Sequence, residues 1–299
     1  MEGHTMERVA VIGTGAMGSA MARRLMRSGF ATTVYDIRKE AMEPLVLMGA
    51  KGARKVADCT DAHAILIVVA NDSQVEEVVA GPGSILNTLH QDTPPVLAVM
   101  STVSPETVRR LGELCRARGV QIIDAPVSGG HVAAENGNLS VMVGGAKETF
   151  DRLRPLLSAV GQRLYYVGEL GAGEIIKLSN NMIGVTNMFL TIEALAMGVR
   201  NGVPLDTLLS IIDTSSGSNF HTRNWPLAKA FFSDFAGSIE SARNNLSLST
   251  KDLSHAQELV TLAKGPSPLL KGLIEALQET TPEYLVDIWK DLTKGEKTK

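Results

Sequence analysis

Lys177 and Asn181 stand four residues apart in a stretch that keeps helical periodicity and contains no proline. Residues at this spacing share one face of a helix. Their neighbours are mostly apolar: Ile175, Ile176, Leu178, Met182, Ile183 and Val185. An ammonium group in such surroundings is partly removed from water, which moves its pKa toward neutrality, as a general base requires. The alternative interpretation is a snorkelling lysine beside a core asparagine.

A glycine-rich turn near the N-terminus has the pattern that binds the phosphates of a dinucleotide. The residues Gly13-Thr14-Gly15-Ala16-Met17-Gly18 match G-x-G-x-x-G, after a predicted strand over 9–12 and before a predicted helix over 16–28. Gly13 permits a tight turn, Gly15 lets the backbone approach a pyrophosphate, and Gly18 lets the helix pack on the strand. The helix N-terminus then offers N–H groups and partial positive charge to the phosphates. The alternative is a structural turn with no ligand.

Asp36 ends the second predicted strand, over 32–35, and follows Gly18 by eighteen positions. A carboxylate there accepts hydrogen bonds from the ribose hydroxyls of the adenosine and repels a 2′-phosphate, so the cofactor is predicted to be NAD, with NADP less favoured. Arg38 argues the other way, because a guanidinium two residues on could hold a phosphate. The competing interpretation is that Arg38 only neutralises Asp36.

Ser128, Gly129 and Gly130 follow a predicted strand over 120–123. Consecutive glycines expose N–H groups without side chains in the way and can form a nest that binds an anion, with the Ser128 hydroxyl as a further donor. The alternative is a flexible turn.

The order of predicted elements divides the chain into two halves. Strands alternate with helices up to residue 167, which predicts an α/β domain with a doubly wound, mostly parallel sheet of the Rossmann type over 1–168. A long inter-domain helix over 173–200 and an all-α C-terminal domain are predicted within 169–299. The further predicted strands cover 65–69, 96–99, 140–143 and 164–167, and the further helices 205–212, 225–232, 248–264 and 269–280.

Composition excludes several classes of protein. The 29 Lys and Arg against 32 Asp and Glu leave a net charge of −3, and aromatic residues make up 4%, so no nucleic-acid partner is predicted. The longest unbroken apolar run, over 64–70, is too short to span a bilayer, so no membrane partner is expected. Two cysteines exclude a disulfide framework, and neither they nor the six histidines show ligand spacing, so no metal is predicted. These features favour a cytoplasmic protein.

Four separate stretches resemble the β-hydroxyacid dehydrogenase family, which includes 3-hydroxyisobutyrate dehydrogenase and tartronate semialdehyde reductase, within the 6-phosphogluconate dehydrogenase superfamily. The resemblance runs from residue 9 to about residue 278. The stretches are the glycine turn over 13–18, Asp124-Ala125-Pro126-Val127-Ser128-Gly129-Gly130, Lys177-Leu178-Ser179-Asn180-Asn181 and Lys251-Asp252-Leu253.

The resemblance implies a role for each matching residue. It implies that Lys177 is catalytic, that Asn181 helps to hold the substrate, and that Ser128 to Gly130 bind the substrate carboxylate. It further implies cofactor contacts, which it assigns to Val69, Ala70, Thr102 and Lys251. The implied reaction is hydride transfer between NAD and a small 3-hydroxy acid or its aldehyde acid.

Two other functions remain open at this point. One is an imine reductase of the same superfamily, although such relatives usually have another residue where Lys177 stands. The other is a non-catalytic dinucleotide-binding module, which commonly lacks the lysine. A homodimer or homotetramer is expected by resemblance, and apolar residues in the helical half support it. They are Met188, Leu190, Ile192, Leu195 and Met197.

Overall fold

The computed structural model describes residues 7–89 and 94–293, so His4 and His90 lie outside the described residues. The chain forms two compact units, Met1–Lys177 and Leu178–Lys299. The boundary between them falls within one continuous helix.

The described residues of the first unit form a nine-stranded, mostly parallel sheet, as predicted. The strands are β1 Arg8–Ile12, β2 Ala31–Tyr35, β3 Lys51–Gly52, β4 Ala64–Ile67, β5 Val96–Val99, β6 Ile122–Asp124, β7 Val127–Ser128, β8 Ser140–Gly144 and β9 Arg163–Gly168. Their order is β3-β2-β1-β4-β5-β6-β8-β7, with β9 paired to β8. The pairs from β3 to β6 are parallel, whereas β8 runs antiparallel to β6 and β7.

Helices cover both faces of this sheet. They are α1 Ala16–Arg27, α2 Lys39–Leu47, α3 Asp72–Ala80, α4 Ile85–Thr88, α5 Pro105–Ala117, α6 Gly130–Glu135 and α7 Lys147–Val160. Successive residues of β1 alternate between two separate cores: Val9 and Val11 belong to one, Ala10 and Ile12 to the other. Strands buried on both faces appear in a sequence as continuous apolar runs, and such runs predict β4 and β5.

The second unit is helical throughout its described residues and has its own core. The long helix α8 spans Ala172–Arg200, and after it come α9 Leu205–Asp213, α10 Phe220–Arg223, α11 Trp225–Ala236, α12 Ile239–Leu262, α13 Pro268–Glu279 and α14 Pro282–Thr293. Helix α12 begins nine residues before the predicted start, because the Ser238 side chain caps it by accepting from the backbone N–H of Ser241. Its first turns are polar, which hides the helical periodicity.

Helix α8 is long and apolar enough, by length and composition alone, to cross a membrane, with a mean hydropathy of 1.5. This is weak evidence, since the core helix of a soluble protein passes the same test. Met188, Ile192 and Leu195 of this helix lie in the core of the second unit. The expectation of no membrane partner therefore stays a prediction.

Candidate active site

The predicted cofactor residues of the first unit follow neighbouring parallel strands. The glycine turn follows β1, Asp36 follows β2, Val69 and Ala70 follow β4, and Thr102 follows β5. Because the carboxyl ends of adjacent parallel strands share one edge of a sheet, all of these residues lie along that edge. In open α/β sheets this edge is where ligands bind.

The glycine turn is tightly packed at two of its glycines and open at the third. A Cβ added at Gly13 would lie 2.3 Å from the carbonyl oxygen of Val68, and one at Gly18 would lie 1.8 Å from that of Gly13. A Cβ added at Gly15 would meet no described atom within 4 Å. Protein packing therefore requires Gly13 and Gly18, whereas the space beside Gly15 is open.

The start of α1 is suited to an anion. Within the described residues, no side chain caps this helix and its first turn holds no acidic residue. The Ser19 hydroxyl donates to the carbonyl oxygen of Thr14 at 2.6 Å, which holds the turn that leads into the helix. The free N–H groups at the helix start, beside the open space at Gly15, fit the pyrophosphate of a dinucleotide.

Asp36 is tied to the glycine turn by its carboxylate. Its Oδ2 accepts from the Thr14 backbone N–H at 2.8 Å and from the Thr14 hydroxyl at 3.2 Å, and its Oδ1 accepts from the Arg38 backbone N–H at 3.0 Å. The Arg38 Nε lies 3.6 Å from Oδ1. Burial opposes ionisation of this carboxyl, but these hydrogen bonds and the guanidinium outweigh it and hold the pKa of Asp36 below its ordinary value.

A cavity of about 640 Å³ lies against Asp36, and its walls come from the end of β2, from α2 and from the segment after β3. Ile37 and Leu47 line it and are exposed, while Arg54 and Lys39 add positive charge. An apolar wall beside an ionised carboxylate fits the adenosine part of the cofactor, with the base on the apolar side chains and the ribose at Asp36.

Val69 is held by Ser101, the residue before Thr102, which the sequence analysis did not single out. The Ser101 hydroxyl accepts from the Val69 backbone N–H at 2.8 Å and donates to the carbonyl oxygen of Ile67 at 3.3 Å. The Ala70 backbone N–H donates to the Gln74 side chain at 2.9 Å. One serine hydroxyl therefore joins the loops after β4 and β5.

Ser128 to Gly130 form a turn of the kind that the double glycine predicts. Ser128 ends β7, and the two glycines that follow have φ of +135° and +73°. These are left-handed conformations that favour glycine. A Cβ added at Gly130 would meet no described atom within 4 Å, so this part of the turn is open. The arrangement is suited to hold an anion such as a carboxylate.

Lys177 and Asn181 lie one turn apart on α8, and both are half-buried. Of the apolar neighbours expected to desolvate Lys177, Leu178 is buried, but Ile175, Ile176 and Ile183 are exposed. Residues adjacent in sequence point in different directions from a helix. These sequence neighbours therefore do not all lie on the side of the helix that carries the Lys177 amine.

Asn181 is oriented by a carboxylate from α12. Its Nδ2 donates to Oδ2 of Asp252 at 2.7 Å, and Nζ of Lys251 lies 3.0 Å from Oδ1 of the same carboxylate. The two partners of this ion pair are only 22% and 14% exposed, so it is not a solvated surface pair. The Lys-Asp-Leu motif therefore meets the Lys-Leu-Ser-Asn-Asn motif through Asp252.

The sequence analysis assigned no role to Asp124 or Glu174. Both are fully buried beside the start of α8. The presence of Asp124 in the second family motif was the available signal. Within 7–89 and 94–293, no group of three His, Cys, Asp or Glu side chains could hold a metal ion.

Two family descriptions match the chain. Residues 8–168 match the NAD-binding domain of 6-phosphogluconate dehydrogenase, and residues 171–288 match a domain described as the NAD-binding domain of NADP-dependent 3-hydroxyisobutyrate dehydrogenase.

Several characterised proteins are similar over most of their length. The chain is 31% identical to 2-(hydroxymethyl)glutarate dehydrogenase of Eubacterium barkeri, over 96% of each chain. It is 37% identical to 3-hydroxyisobutyrate dehydrogenase of Pseudomonas aeruginosa, over 72% of each chain. It is 33% identical to the NAD-dependent L-serine dehydrogenase of the same organism, over 88% of this chain and 89% of that one.

Solved structures share the fold. The structure of 3-hydroxyisobutyrate dehydrogenase from Salmonella typhimurium has a TM-score of 0.79 at 24% identity and covers 94% of this chain and 99% of that one. An imine reductase variant from Myxococcus stipitatus in complex with NAD+ has a TM-score of 0.62 at 19% identity and covers 94% of this chain and 99% of that one.

The fold and the glycine turn define a dinucleotide-binding domain, and the relatives named as dehydrogenases make the chain an oxidoreductase. Within that class, the chain belongs to the 3-hydroxyisobutyrate dehydrogenase family, which confirms the resemblance carried by the four motifs.

Proposed function

We propose that this chain is a dehydrogenase that oxidises a small 3-hydroxy acid, of the 3-hydroxyisobutyrate kind, or reduces the corresponding aldehyde acid. The observation that carries the proposal is the placement of Lys177 and Asn181 one turn apart on α8, where Asp252 fixes the Asn181 amide. Relatives at 31–37% identity are named as dehydrogenases of hydroxy acids, which supports the same reaction.

In the oxidative direction, the N–H groups of Gly129 and Gly130 and the Ser128 hydroxyl hold the substrate carboxylate. The neutral amine of Lys177 accepts the proton of the substrate hydroxyl, while Asn181 holds the alcohol oxygen or orients the lysine. When bound, the dinucleotide supplies the ring that takes up hydride from the carbon. In the reductive direction the Lys177 ammonium returns the proton to the oxygen.

Replacing the amine tests this mechanism. We expect Lys177→Ala to lower kcat by at least about 10²-fold, since general acid–base help is worth 10²–10⁴-fold, while cofactor affinity is retained. The control is Lys271→Ala, which removes an exposed lysine of α13. Steady-state rates at 340 nm on a panel of 3-hydroxy acids, with cofactor titration by fluorescence, give both quantities. Near-normal turnover in Lys177→Ala would rule out the mechanism.

Imine reduction is the second candidate, because imine reductases share the fold. The imine reductase variant compared above is 19% identical to this chain, and the solved structure of 3-hydroxyisobutyrate dehydrogenase is 24% identical. Adding cyclic imines to the substrate panel separates the two activities. Cofactor binding without turnover of either substrate class would instead favour a non-catalytic module.

NAD is the preferred cofactor in this proposal. Asp36 keeps an ionised carboxylate at the ribose position, and Arg38, 62% exposed in its side chain, pairs with that carboxylate. We expect Asp36→Ala to lower the ratio of kcat/KM for NAD over NADP by at least about tenfold, because the 2′-phosphate is no longer repelled. Arg38→Ala is the matched control. An unchanged ratio in Asp36→Ala would contradict the assignment.

We further propose a cytoplasmic homo-oligomer, a dimer or tetramer. Both cysteines are free and buried, which suits a reducing compartment. Of the five apolar residues expected to drive association, Met188, Ile192 and Leu195 are buried in the core of the second unit, whereas Leu190 and Met197 are exposed. The exposed pair supports association of α8 with a second copy.

A further inference from the structure

The start of α8 is capped from outside the helix. Gly171 precedes the first residue of α8 and has no side chain with which to cap it. The carboxylate of Asp124, at the end of β6, fills that role: Oδ1 accepts from the Gly171 backbone N–H at 2.7 Å and Oδ2 from the Glu174 backbone N–H at 2.9 Å. A helix N-cap ordinarily satisfies these first N–H groups with its own side chain.

The backbone around this carboxylate leaves no spare room. A Cβ added at Gly144 would lie 2.5 Å from Oδ1 of Asp124, and one added at Gly173 would lie 2.7 Å from Oδ2. Gly144 pairs with Asp124 across β6 and β8, and Gly173 lies in the first turn of α8. Both glycines allow the helix start, the strand pair and the carboxylate to meet at hydrogen-bonding distance.

A second carboxylate, on the helix itself, attaches the same turn to the loop after another strand. Glu174 is fully buried, and its Oε2 accepts from the Val103 backbone N–H at 3.3 Å. Val103 follows Thr102, in the loop after β5. The first turn of α8 is therefore attached to the loop after β5 through Glu174 and to the end of β6 through Asp124.

Lys177 stands three residues after Glu174, which is about 4.5 Å along the helix axis at 1.5 Å per residue. A helix turn moves as a rigid unit, so any shift of the capped turn is passed directly to Lys177. An error of about 1 Å in the placement of a catalytic group can cost about 10²-fold in rate.

We propose that Asp124 is a positioning residue, whose carboxylate caps α8 across the fold and thereby sets the place of Lys177 for proton transfer. This inference rests on the proposed function, because it assigns Asp124 to the same reaction. Asp124 makes these contacts with backbone N–H groups and acts through Lys177.

The direct test is Asp124→Asn. Asparagine keeps the size of the side chain but replaces one acceptor oxygen by an NH2 group, which cannot accept from Gly171 or Glu174. We expect kcat to fall about 10- to 100-fold, with the KM for NAD changed less than about twofold. Ser84→Ala is the matched control, because Ser84 caps α4 by accepting from the Asn87 backbone N–H and α4 carries no candidate site residue. Its kcat should stay within about twofold of the wild type.

A double-mutant cycle separates positioning from general damage to the fold. Turnover by Lys177→Ala is measured with added methylamine. If Asp124 acts through Lys177, adding Asp124→Asn to this variant should change its rate by less than about twofold. An equal loss in both backgrounds, or no loss of kcat in the single variant, would overturn the inference and leave the proposed function intact. Full activity in Lys177→Ala would instead overturn both.

If Asp124→Asn does not fold, Glu174→Gln carries the same cycle. It weakens the second attachment of the helix start while keeping the shape of the side chain. The expected loss of kcat is a few-fold, and again it should vanish in the Lys177→Ala background.

Discussion

A methyl group at Gly18 would collide with the backbone of the glycine turn, whereas one at Gly15 would point into space that no described atom fills. Gly15 has φ of −64°, which alanine adopts without strain. The fold therefore needs a glycine at position 18, whereas at position 15 it leaves room for a side chain, and we propose that this room serves a ligand.

We expect Gly15→Ala to fold with a free energy of unfolding within about 0.5 kcal/mol of the wild type, as for other substitutions at open positions, but to bind NAD at least about tenfold more weakly. Gly18→Ala, in contrast, should lower the Tm by several degrees, because the backbone has to move to admit the methyl group. Thermal unfolding and NAD titration of the two variants provide the comparison. Unchanged NAD affinity in Gly15→Ala would mean that the space beside this glycine serves no pyrophosphate.

Among the elements, α8 carries both the candidate chemistry and an unusual outer face. Ile176, Ile183, Leu190 and Met197 recur every seven residues and are 45–65% exposed. Seven residues are almost two helical turns, so these side chains form one stripe along the helix. Their regular spacing over this length distinguishes them from scattered surface hydrophobics, and it favours burial against a second helix.

We expect Leu190→Glu to shift the protein toward the monomer, because a carboxylate would be buried in the interface that we propose along this stripe. Leu262→Glu is the control, since Leu262 is an exposed leucine at the end of α12 and lies off the stripe. Sedimentation velocity of the wild type and both variants measures the change. A mass for Leu190→Glu equal to that of an oligomeric wild type would exclude this face as the interface.

At the scale of the whole molecule, stability is divided among three cores that share no residue, two on the faces of the sheet and one in the helical unit. His221 belongs to the second unit, where its ring lies 5.3 Å from Phe232 and 5.9 Å from Phe231 between centroids. Burial lowers the pKa of His221 below its ordinary 6.5, against the opposing effect of a hydrogen bond with the backbone of Gly184. The folded state therefore holds this histidine neutral.

The sign of the pH dependence follows from that shift. Below pH 6.5 His221 takes up a proton in the unfolded chain, but in the folded chain it does so only below its own, lower pKa. The free energy of unfolding is therefore lost as the pH falls from the first of these pKa values to the second. We expect the Tm to fall less between pH 7.5 and 5 in His221→Gln and His221→Phe than in the wild type. Differential scanning calorimetry at both pH values tests this, and equal slopes in all three proteins would contradict it.

Much of the fold and part of the site follow from local patterns. The continuous apolar runs of β1, β4 and β5, the glycine turn and the uninterrupted helical period of α8 each reflect constraints within a few residues of chain. Such constraints can be recognised without knowing which residues pack against each other in the folded chain. The start of α12 was missed because its first turns are polar, whereas helix α14 was missed although its buried residues Leu285, Ile288 and Leu292 keep helical spacing.

The sequence by itself determined the dinucleotide motif, the four-residue spacing of Lys177 and Asn181 and the class of sheet, because these depend on spacing along the chain. Only the tertiary structure decided which glycines of the motif the packing requires, that Asp252 orients Asn181, and that Asp124 caps α8. The two contacts join groups that lie 71 and 47 positions apart in the chain, and the room around a glycine depends on the packed fold, so none of these leaves a local pattern in the order of residues.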